Sequence, residues 1–123
     1  MPSILVVEDD PALRRLFEQM LVRDGHEVTM AANGAKALKL IETTSFDIVI
    51  TDLVMPEMEG LSLLRALRGK KLPLKVIAMS GGGRGSAADY LEMATMLGAA
   101  ATLPKPFTHK ELTDAIERVL KPV

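Results

Sequence analysis

Acidic residues end two of the short apolar runs in this sequence. Glu8 and Asp9 directly follow the run at residues 3 to 7, and Asp52 closes the run at residues 46 to 52. Both runs are brief and rich in β-branched residues, which predicts buried β-strands rather than helices. In an open parallel α/β sheet, ligands bind beyond the carboxyl ends of the strands. If these two strands are neighbours, the three carboxylates should meet in one crevice.

Three carboxylates in one crevice repel one another, and they stay ionised only if a cation or hydrogen bonds compensate. The group offers oxygen ligands alone, without His or Cys, which suits a hard cation that keeps some of its waters. We therefore expect Mg²⁺ as the cofactor. Asp52 could then act as a nucleophile as well as a ligand, forming an acyl phosphate.

Two further polar residues follow later apolar runs. Ser80 comes after residues 72 to 79, and Lys105 follows residues 99 to 103. Three carboxylates, one lysine and one Mg²⁺ sum to zero formal charge, so the site could accept a phosphoryl group without a large electrostatic cost. The Ser80 hydroxyl could donate a hydrogen bond to that group. Each residue alone could be an ordinary loop residue, but the set together favours phosphoryl chemistry.

Alternating strand and helix patterns predict how these residues are positioned. Strands are expected at residues 3 to 7, 27 to 31, 46 to 52, 72 to 79 and 99 to 103, with a helix after each. This alternation predicts an α/β fold of the flavodoxin-like doubly wound type. Its five-stranded parallel sheet has the order 2-1-3-4-5, helices on both faces and right-handed crossovers.

The helices have predicted inner faces and caps. Asp10 is expected to begin the first helix, and Asp24-Gly25 to end it. The segment Thr108-His109-Lys110-Glu111 has the capping-box pattern. The apolar spacing assigns these inner-face residues: Leu13, Leu16, Phe17, Met20 and Leu21 in the first helix, Ala35, Leu38 and Ile41 in the second, Leu61, Leu64 and Leu67 in the third, and Leu112, Ala115, Ile116, Val119 and Leu120 in the last.

Composition narrows the possible functions. The 123 residues predict a single domain over residues 1 to 123, without room for an output domain. With 15 basic and 16 acidic residues, the net charge of -1 gives no support for binding nucleic acid or a charged membrane surface. The absence of cysteine, of a signal peptide and of a long apolar run predicts a cytoplasmic protein with no membrane partner.

Four segments resemble the receiver domains of two-component response regulators, of the chemotaxis-regulator-like kind. They are ILVVEDD at 4 to 10, TDLVMPEMEG at 51 to 60, AMSG at 78 to 81 and LPKPF at 103 to 107. The likeness spans essentially the whole chain. It implies a phosphoacceptor that catalyses its own phosphorylation and dephosphorylation and is not otherwise an enzyme.

The resemblance also implies individual roles. Asp52 would be the phosphoacceptor, Asp9 a direct Mg²⁺ ligand, and Glu8 an acid that acts on the metal largely through water. The Val54 carbonyl would be a backbone ligand. Ser80 matches the hydroxyl switch residue of the family, and Lys105 matches its lysine. The phosphoryl donor would be a phosphohistidine on a sensor histidine kinase or a phosphotransfer protein, and the downstream protein partner stays unknown.

The sequence departs from the family pattern at Thr102, where most members have Tyr or Phe as an aromatic switch. We therefore expect the conformational change to involve the loop after Ser80, the helix at residues 87 to 97, and strands four and five around it. The glycines at 81 to 85 lack a phosphate-loop spacing and favour flexibility. In this family, the side chains two residues beyond the phosphoacceptor and two beyond the hydroxyl residue influence how water reaches the acyl phosphate. Here they are Val54 and Gly82, which cannot orient water, so the resemblance implies slow self-dephosphorylation.

Three alternative functions fit these residues less well. A degenerate receiver would bind partners without being phosphorylated, but it would give no physical reason for three adjacent carboxylates. A flavin mononucleotide carrier would need a phosphate-friendly loop where this chain has Glu8-Asp9-Asp10. A metal-dependent phosphatase with an aspartyl nucleophile would need a second acid at position 54, which is Val.

Overall fold

A computed structural model describes residues 2–52, 63, 65–67, 74–80, 98–104 and 107–120. It contains five strands, β1 (Ser3–Val7), β2 (Glu27–Ala31), β3 (Ile48–Asp52), β4 (Lys75–Ser80) and β5 (Ala101–Pro104). Three helices are defined over this part of the chain: α1 (Pro11–Arg23), α2 (Gly34–Thr43) and α3 (His109–Leu120). Residues 63 and 65–67 are also helical.

The five strands form one parallel sheet in the order β2-β1-β3-β4-β5. The predicted fold class and strand order are therefore confirmed. β1 lies between β2 and β3, and Val7 is paired with Thr51 at its carboxyl end. At the other end, the Asp47 carboxylate accepts a hydrogen bond of 2.8 Å from the Ser3 amide. This register brings the residues after β1 beside the end of β3.

Alternating strand residues form a core on each side of the sheet. Leu5, Val7 and Val49 face one cluster, to which α2 adds Ala37 and Ile41. The opposite cluster holds the intervening strand residues, with these buried helix residues: Phe17 and Leu21 of α1, and Leu112, Ala115, Ile116 and Val119 of α3. Because both faces of the sheet are covered, the central strands β1 and β3 are buried along almost their whole length, as expected for a parallel sheet.

Three of the five strands begin later than predicted, whereas β1 and β2 have the predicted bounds. Phe46 and Asp47 precede β3, Leu74 precedes β4, and Ala99 and Ala100 precede β5. Phe46 is nevertheless only 6% exposed. Apolar residues just before a strand can pack into the core without pairing in the sheet, so hydrophobicity alone placed these boundaries too early.

The ends of α1 match the sequence. The Asp10 side chain accepts a 2.9 Å hydrogen bond from the Ala12 amide, which confirms its predicted position at the helix start. After the helix, Gly25 has a φ of 92°, in the left-handed region that favours glycine. The predicted inner face of α1 is only partly correct, because Phe17 and Leu21 are buried but Leu16 is 49% exposed. The sheet contacts a narrower stripe of α1 than the apolar pattern covers.

Two corrections apply to the other face of the sheet. In α2, Ala35 is exposed and Ala37 is buried beside Ile41, because Asn33 caps a helix that begins at Gly34. In the next helical segment Leu63, which was not predicted to face inward, is fully buried along with Leu67. The predicted inner positions Leu61 and Leu64 lie outside the described residues.

The capping box of α3 is confirmed. The Glu111 amide donates to Thr108 Oγ1 at 3.1 Å, and the Thr108 amide donates to Glu111 Oε1 at 3.0 Å. All the predicted inner residues are buried except Leu120, which is 38% exposed in the last turn of the helix. No helix within the described ranges is both long and apolar enough to cross a bilayer.

Candidate functional site

The carboxylates of Glu8, Asp9 and Asp52 converge at the carboxyl ends of β1 and β3. One oxygen from each residue lies within 4.8 Å of the other two. Because Val7 pairs with Thr51, the next residues along the two strands, Glu8 and Asp52, are neighbours across the sheet. Glu8 is 1% exposed and Asp52 is 8% exposed, whereas Asp9 is exposed. The site is thus a buried acidic pair with a third acid at its rim.

Backbone hydrogen bonds fix the loop that carries two of these acids. The Glu8 amide donates to the Ala31 carbonyl at 3.0 Å, which extends the β1–β2 pairing by one residue. The Asp10 amide donates to Glu8 Oε2 at 3.3 Å. Asp10 thus binds Glu8 through its amide and caps α1 through its side chain. The tightly bonded turn sets the position of the Glu8 carboxylate.

Arg14 also holds this loop, a role that was not predicted. Its Nη1 donates to the carbonyl oxygens of Glu8 at 3.1 Å and of Asp9 at 3.4 Å. Arg14 is not among the residues that the helical pattern assigns to the inner face of α1. A usable signal did exist, since a cation in the first turns of a helix is opposed by the helix dipole and must be offset by other contacts.

Thr51 is a second residue at the site whose role was not predicted. It is fully buried, and its hydroxyl donates to the Asp52 carbonyl at 3.0 Å. This hydrogen bond gives the buried hydroxyl a partner. It also contacts the backbone of Asp52, the candidate nucleophile. A hydroxyl directly before an acid in an apolar run is the sequence feature that could have indicated it.

The other predicted site residues are described only in part. Ser80 ends β4, one residue beyond Met79, which pairs with Asp52; its backbone alone is described. Val54 and Lys105 lie outside the described residues. Thr102, at the position of the family's aromatic switch, is half-buried on β5 and pairs with Ala78.

The donor set suits a hard divalent cation. Three carboxylate oxygens within reach of one another, two of them from buried residues, repel strongly unless positive charge lies among them. Mg²⁺ prefers such oxygen ligands and retains water on its open positions. The residues present therefore fit Mg²⁺, with Glu8, Asp9 and Asp52 as the side chains that would hold it.

Comparison with known proteins identifies the family. The family described as response regulator receiver domain matches residues 4–117. The chain belongs to this family. Receiver domains are phosphoacceptor signalling modules of two-component systems.

Individual relatives agree with this assignment. The chain is 30% identical over 118 residues to sporulation initiation phosphotransferase F of Bacillus subtilis, covering 96% of this chain and 93% of that protein. It is 37% identical to the DNA-binding transcriptional regulator NtrC of Azospirillum brasilense, covering 96% of this chain but 24% of the regulator. It spans 50% and 12% of the lengths of two other curated relatives.

Solved receiver structures share the fold. The response regulator TrrA from Thermotoga maritima, crystallised in complex with Mg²⁺ and BeF, superimposes with a TM-score of 0.85 and 31% sequence identity. The match covers 98% of this chain and all of that one. This agreement extends the family assignment from sequence to three-dimensional structure.

Proposed function

We propose that this receiver domain is a phosphorylation switch in which Asp52 accepts a phosphoryl group in a Mg²⁺-dependent step that the domain itself catalyses. The observation that supports this best is the convergence of Glu8, Asp9 and Asp52 within 4.8 Å at the ends of two adjacent strands. A protein needs a strong reason to hold three carboxylates together, because their repulsion destabilises the fold. Binding a divalent cation and a phosphoryl group supplies that reason.

The proposed step is an in-line displacement at phosphorus. A carboxylate oxygen of Asp52 forms the new P–O bond, and the bond from phosphorus to the donor breaks, so that the donor leaves with the electron pair. The product is an acyl phosphate. When bound, Mg²⁺ neutralises charge on the transferring oxygens, as metal ions do in phosphoryl transfer.

The chain supplies the remaining functions. Glu8 and Asp9 would hold the metal, with the Val54 carbonyl as a further ligand. Lys105 would balance the charge of the phosphoryl oxygens, and the Ser80 hydroxyl would donate a hydrogen bond to the group once it is attached. The burial of Asp52 limits competing water around the nucleophile.

The natural donor is proposed to be a phosphohistidine on a sensor histidine kinase or a phosphotransfer protein. Receiver domains pair with kinases, and one curated relative is the sensor kinase CckA of Brucella abortus. We propose that phosphorylation changes the surface formed by β4, residues 87 to 97 and β5, where an unknown protein partner would bind. Thr102 cannot signal by burying an aromatic ring, so the change would be transmitted by the residues after Ser80.

Intact-protein mass spectrometry tests the central proposal. With Mg²⁺ and acetyl phosphate, the wild-type protein should gain the mass of one phosphoryl group, and a chelator should abolish the gain. Asp52→Asn should show no gain. Asp47→Asn is the matched control, because Asp47 lies just before the opposite end of β3 and should leave the reaction intact.

The result also separates the proposal from a degenerate receiver that binds partners without phosphorylation. If Mg²⁺ and acetyl phosphate together yield no adduct that depends on Asp52, the proposal of phosphoryl acceptance is wrong. The degenerate receiver is then the better description. Where the adduct forms, its lifetime measures self-dephosphorylation. It should be long, and it should shorten in Val54→Asn if the absence of a water-orienting side chain protects the acyl phosphate.

A further inference from the structure

A cavity with a mainly apolar wall lies around the carboxyl end of the edge strand β2, next to the loop that carries Glu8 and Asp9. It has a volume of about 510 Å³ and is broadly open to solvent. Arg14 of α1 lines it, together with Lys36 and Lys39 of α2, while Met30, Ala31 and Leu40 form apolar parts of the wall. None of its lining residues is acidic. A cavity of this size falls within the range of small-molecule sites, about 300 to 1,000 Å³.

The three cations of this cavity lack an acidic partner among the described residues. Across the described ranges, no carboxylate forms an ion pair with Arg14, Lys36 or Lys39. Lys36 and Lys39 are three residues apart on α2, a spacing that puts both side chains on one face of the helix. Positive charge is therefore concentrated at one opening, although the whole chain has a net charge of -1.

Arg14 is held in place for such a role. Its Nη1 is bonded to the carbonyls of Glu8 and Asp9, which fixes the guanidinium at the edge of the cavity. A guanidinium has five N–H donors, and those on Nε and Nη2 remain available to a ligand. The N-terminus of α2 is not the binding element, because the Asn33 side chain already accepts the Lys36 amide hydrogen bond at 2.9 Å.

We propose that this cavity binds a small molecule that carries an oxyanion, either phosphate or carboxylate, on an apolar body. The three cations would bind the oxyanion, and Met30, Ala31 and Leu40 would contact the body. An extended acidic peptide paired along β2 is disfavoured, because exposed Glu27 at the other end of the strand would repel it. This site does not depend on phosphorylation of Asp52.

A competing explanation is that the basic residues only protect an edge strand from pairing with another chain, a common role of lysine. The two explanations differ in what they predict for ligands. A protective charge gives no saturable binding, whereas a site binds at a defined set of residues and prefers an anion with an apolar group over either part alone.

Backbone-amide NMR of the metal-free protein tests the proposal, with phenylphosphonate as the probe. Its carbon–phosphorus bond prevents phosphoryl transfer, and without metal the acidic site repels it. Phenylphosphonate should give saturable shifts at residues 30 to 32 and 36 to 40, whereas benzyl alcohol should not. Benzoate distinguishes the two sources of charge: equal binding indicates oxyanions in general, and weaker binding indicates a phosphate-bearing ligand.

Charge-removing variants provide the second part of the test. Lys36→Gln with Lys39→Gln should weaken phenylphosphonate binding about fivefold or more, as expected for the loss of two ionic contacts. The matched control, Arg15→Gln with Lys110→Gln, removes the same charge from exposed positions outside the cavity and should leave the affinity unchanged. The proposal is overturned if no saturable shift occurs, if benzyl alcohol binds equally well, or if the control pair weakens binding as much as the cavity pair.

Discussion

Arg14 Nη1 lies 3.1 Å from the carbonyl oxygen of Glu8, so a cation of α1 is hydrogen-bonded to the backbone of the acidic site. The same nitrogen reaches the Asp9 carbonyl at 3.4 Å. One side chain therefore ties the β1–α1 loop to its helix at the two residues whose carboxylates face Asp52. This contact couples the stability of the helix start to the geometry of the acids.

Arg14→Gln should lower the free energy of unfolding by about 1 kcal/mol, because a half-buried, charge-assisted hydrogen bond is lost. Urea denaturation measures the change, and the Asp9 and Asp10 amide resonances should shift in the same variant. Arg15→Gln is the control, since exposed Arg15 should change stability by less than about 0.5 kcal/mol. Equal effects of the two substitutions would show that the contact with Glu8 contributes nothing to stability.

Leu21→Ala and Leu16→Ala should differ sharply although both residues lie on α1. Leu21 is fully buried, and its truncation should cost about 2 to 5 kcal/mol of unfolding free energy. Leu16 is 49% exposed, and its truncation should cost about 1 kcal/mol or less. Chemical denaturation of the two variants makes the comparison, and similar losses would mean that the apolar pattern, not the observed burial, describes this helix correctly.

Thr108→Ala should destabilise the protein by about 1 kcal/mol, because it removes the oxygen that caps the Glu111 amide. Thr113→Ala is a matched control on the same helix. The Thr113 hydroxyl bonds back to the His109 carbonyl at 2.9 Å, an arrangement that gives the helix little, so alanine should be neutral or slightly stabilising. Thermal denaturation that shows the reverse order would contradict the capping box.

Asp9→Asn should raise the stability of the metal-free protein by an amount on the order of 1 kcal/mol, because it relieves repulsion among three close carboxylates. The same variant should lose most of the stabilisation that Mg²⁺ gives the wild type through preferential binding to the folded state. Asp114→Asn, at an exposed position on α3, should change neither quantity. Denaturation with and without Mg²⁺ measures both effects, and unchanged Mg²⁺ stabilisation in Asp9→Asn would argue against Asp9 as a ligand.

Much of the fold was predictable because the apolar residues that mark each strand in the sequence are also the residues that the sheet buries. The apolar run before Glu8 has to be buried on both faces, and only a central parallel strand meets that requirement. The end of α1 was likewise set by local chemistry, since Asp10 caps and Gly25 adopts a positive φ. These features need no knowledge of distant parts of the chain.

The failures concern properties that only packing decides. Periodicity shows which residues of a helix are apolar, but the angle at which the helix lies on the sheet decides that Leu16 is half-exposed and Leu63 is fully buried. The convergence of the three acids could be predicted from the strand order, because the carboxyl ends of neighbouring parallel strands lie side by side. The role of Arg14 did not follow, since it depends on where a long flexible side chain finds acceptors in three dimensions.

The hydrogen bond between the Ser3 amide and the Asp47 carboxylate has a practical value for experiments on this domain. It holds the start of β1 beside the residue that precedes β3, five positions before Asp52. At the rise of a parallel strand, this is roughly 16 Å from the acid. A fluorophore or surface tether joined ahead of Pro2 would therefore emerge at the amino-terminal end of the strands, opposite the acidic site. It would leave the acidic crevice open to kinases and small phosphodonors.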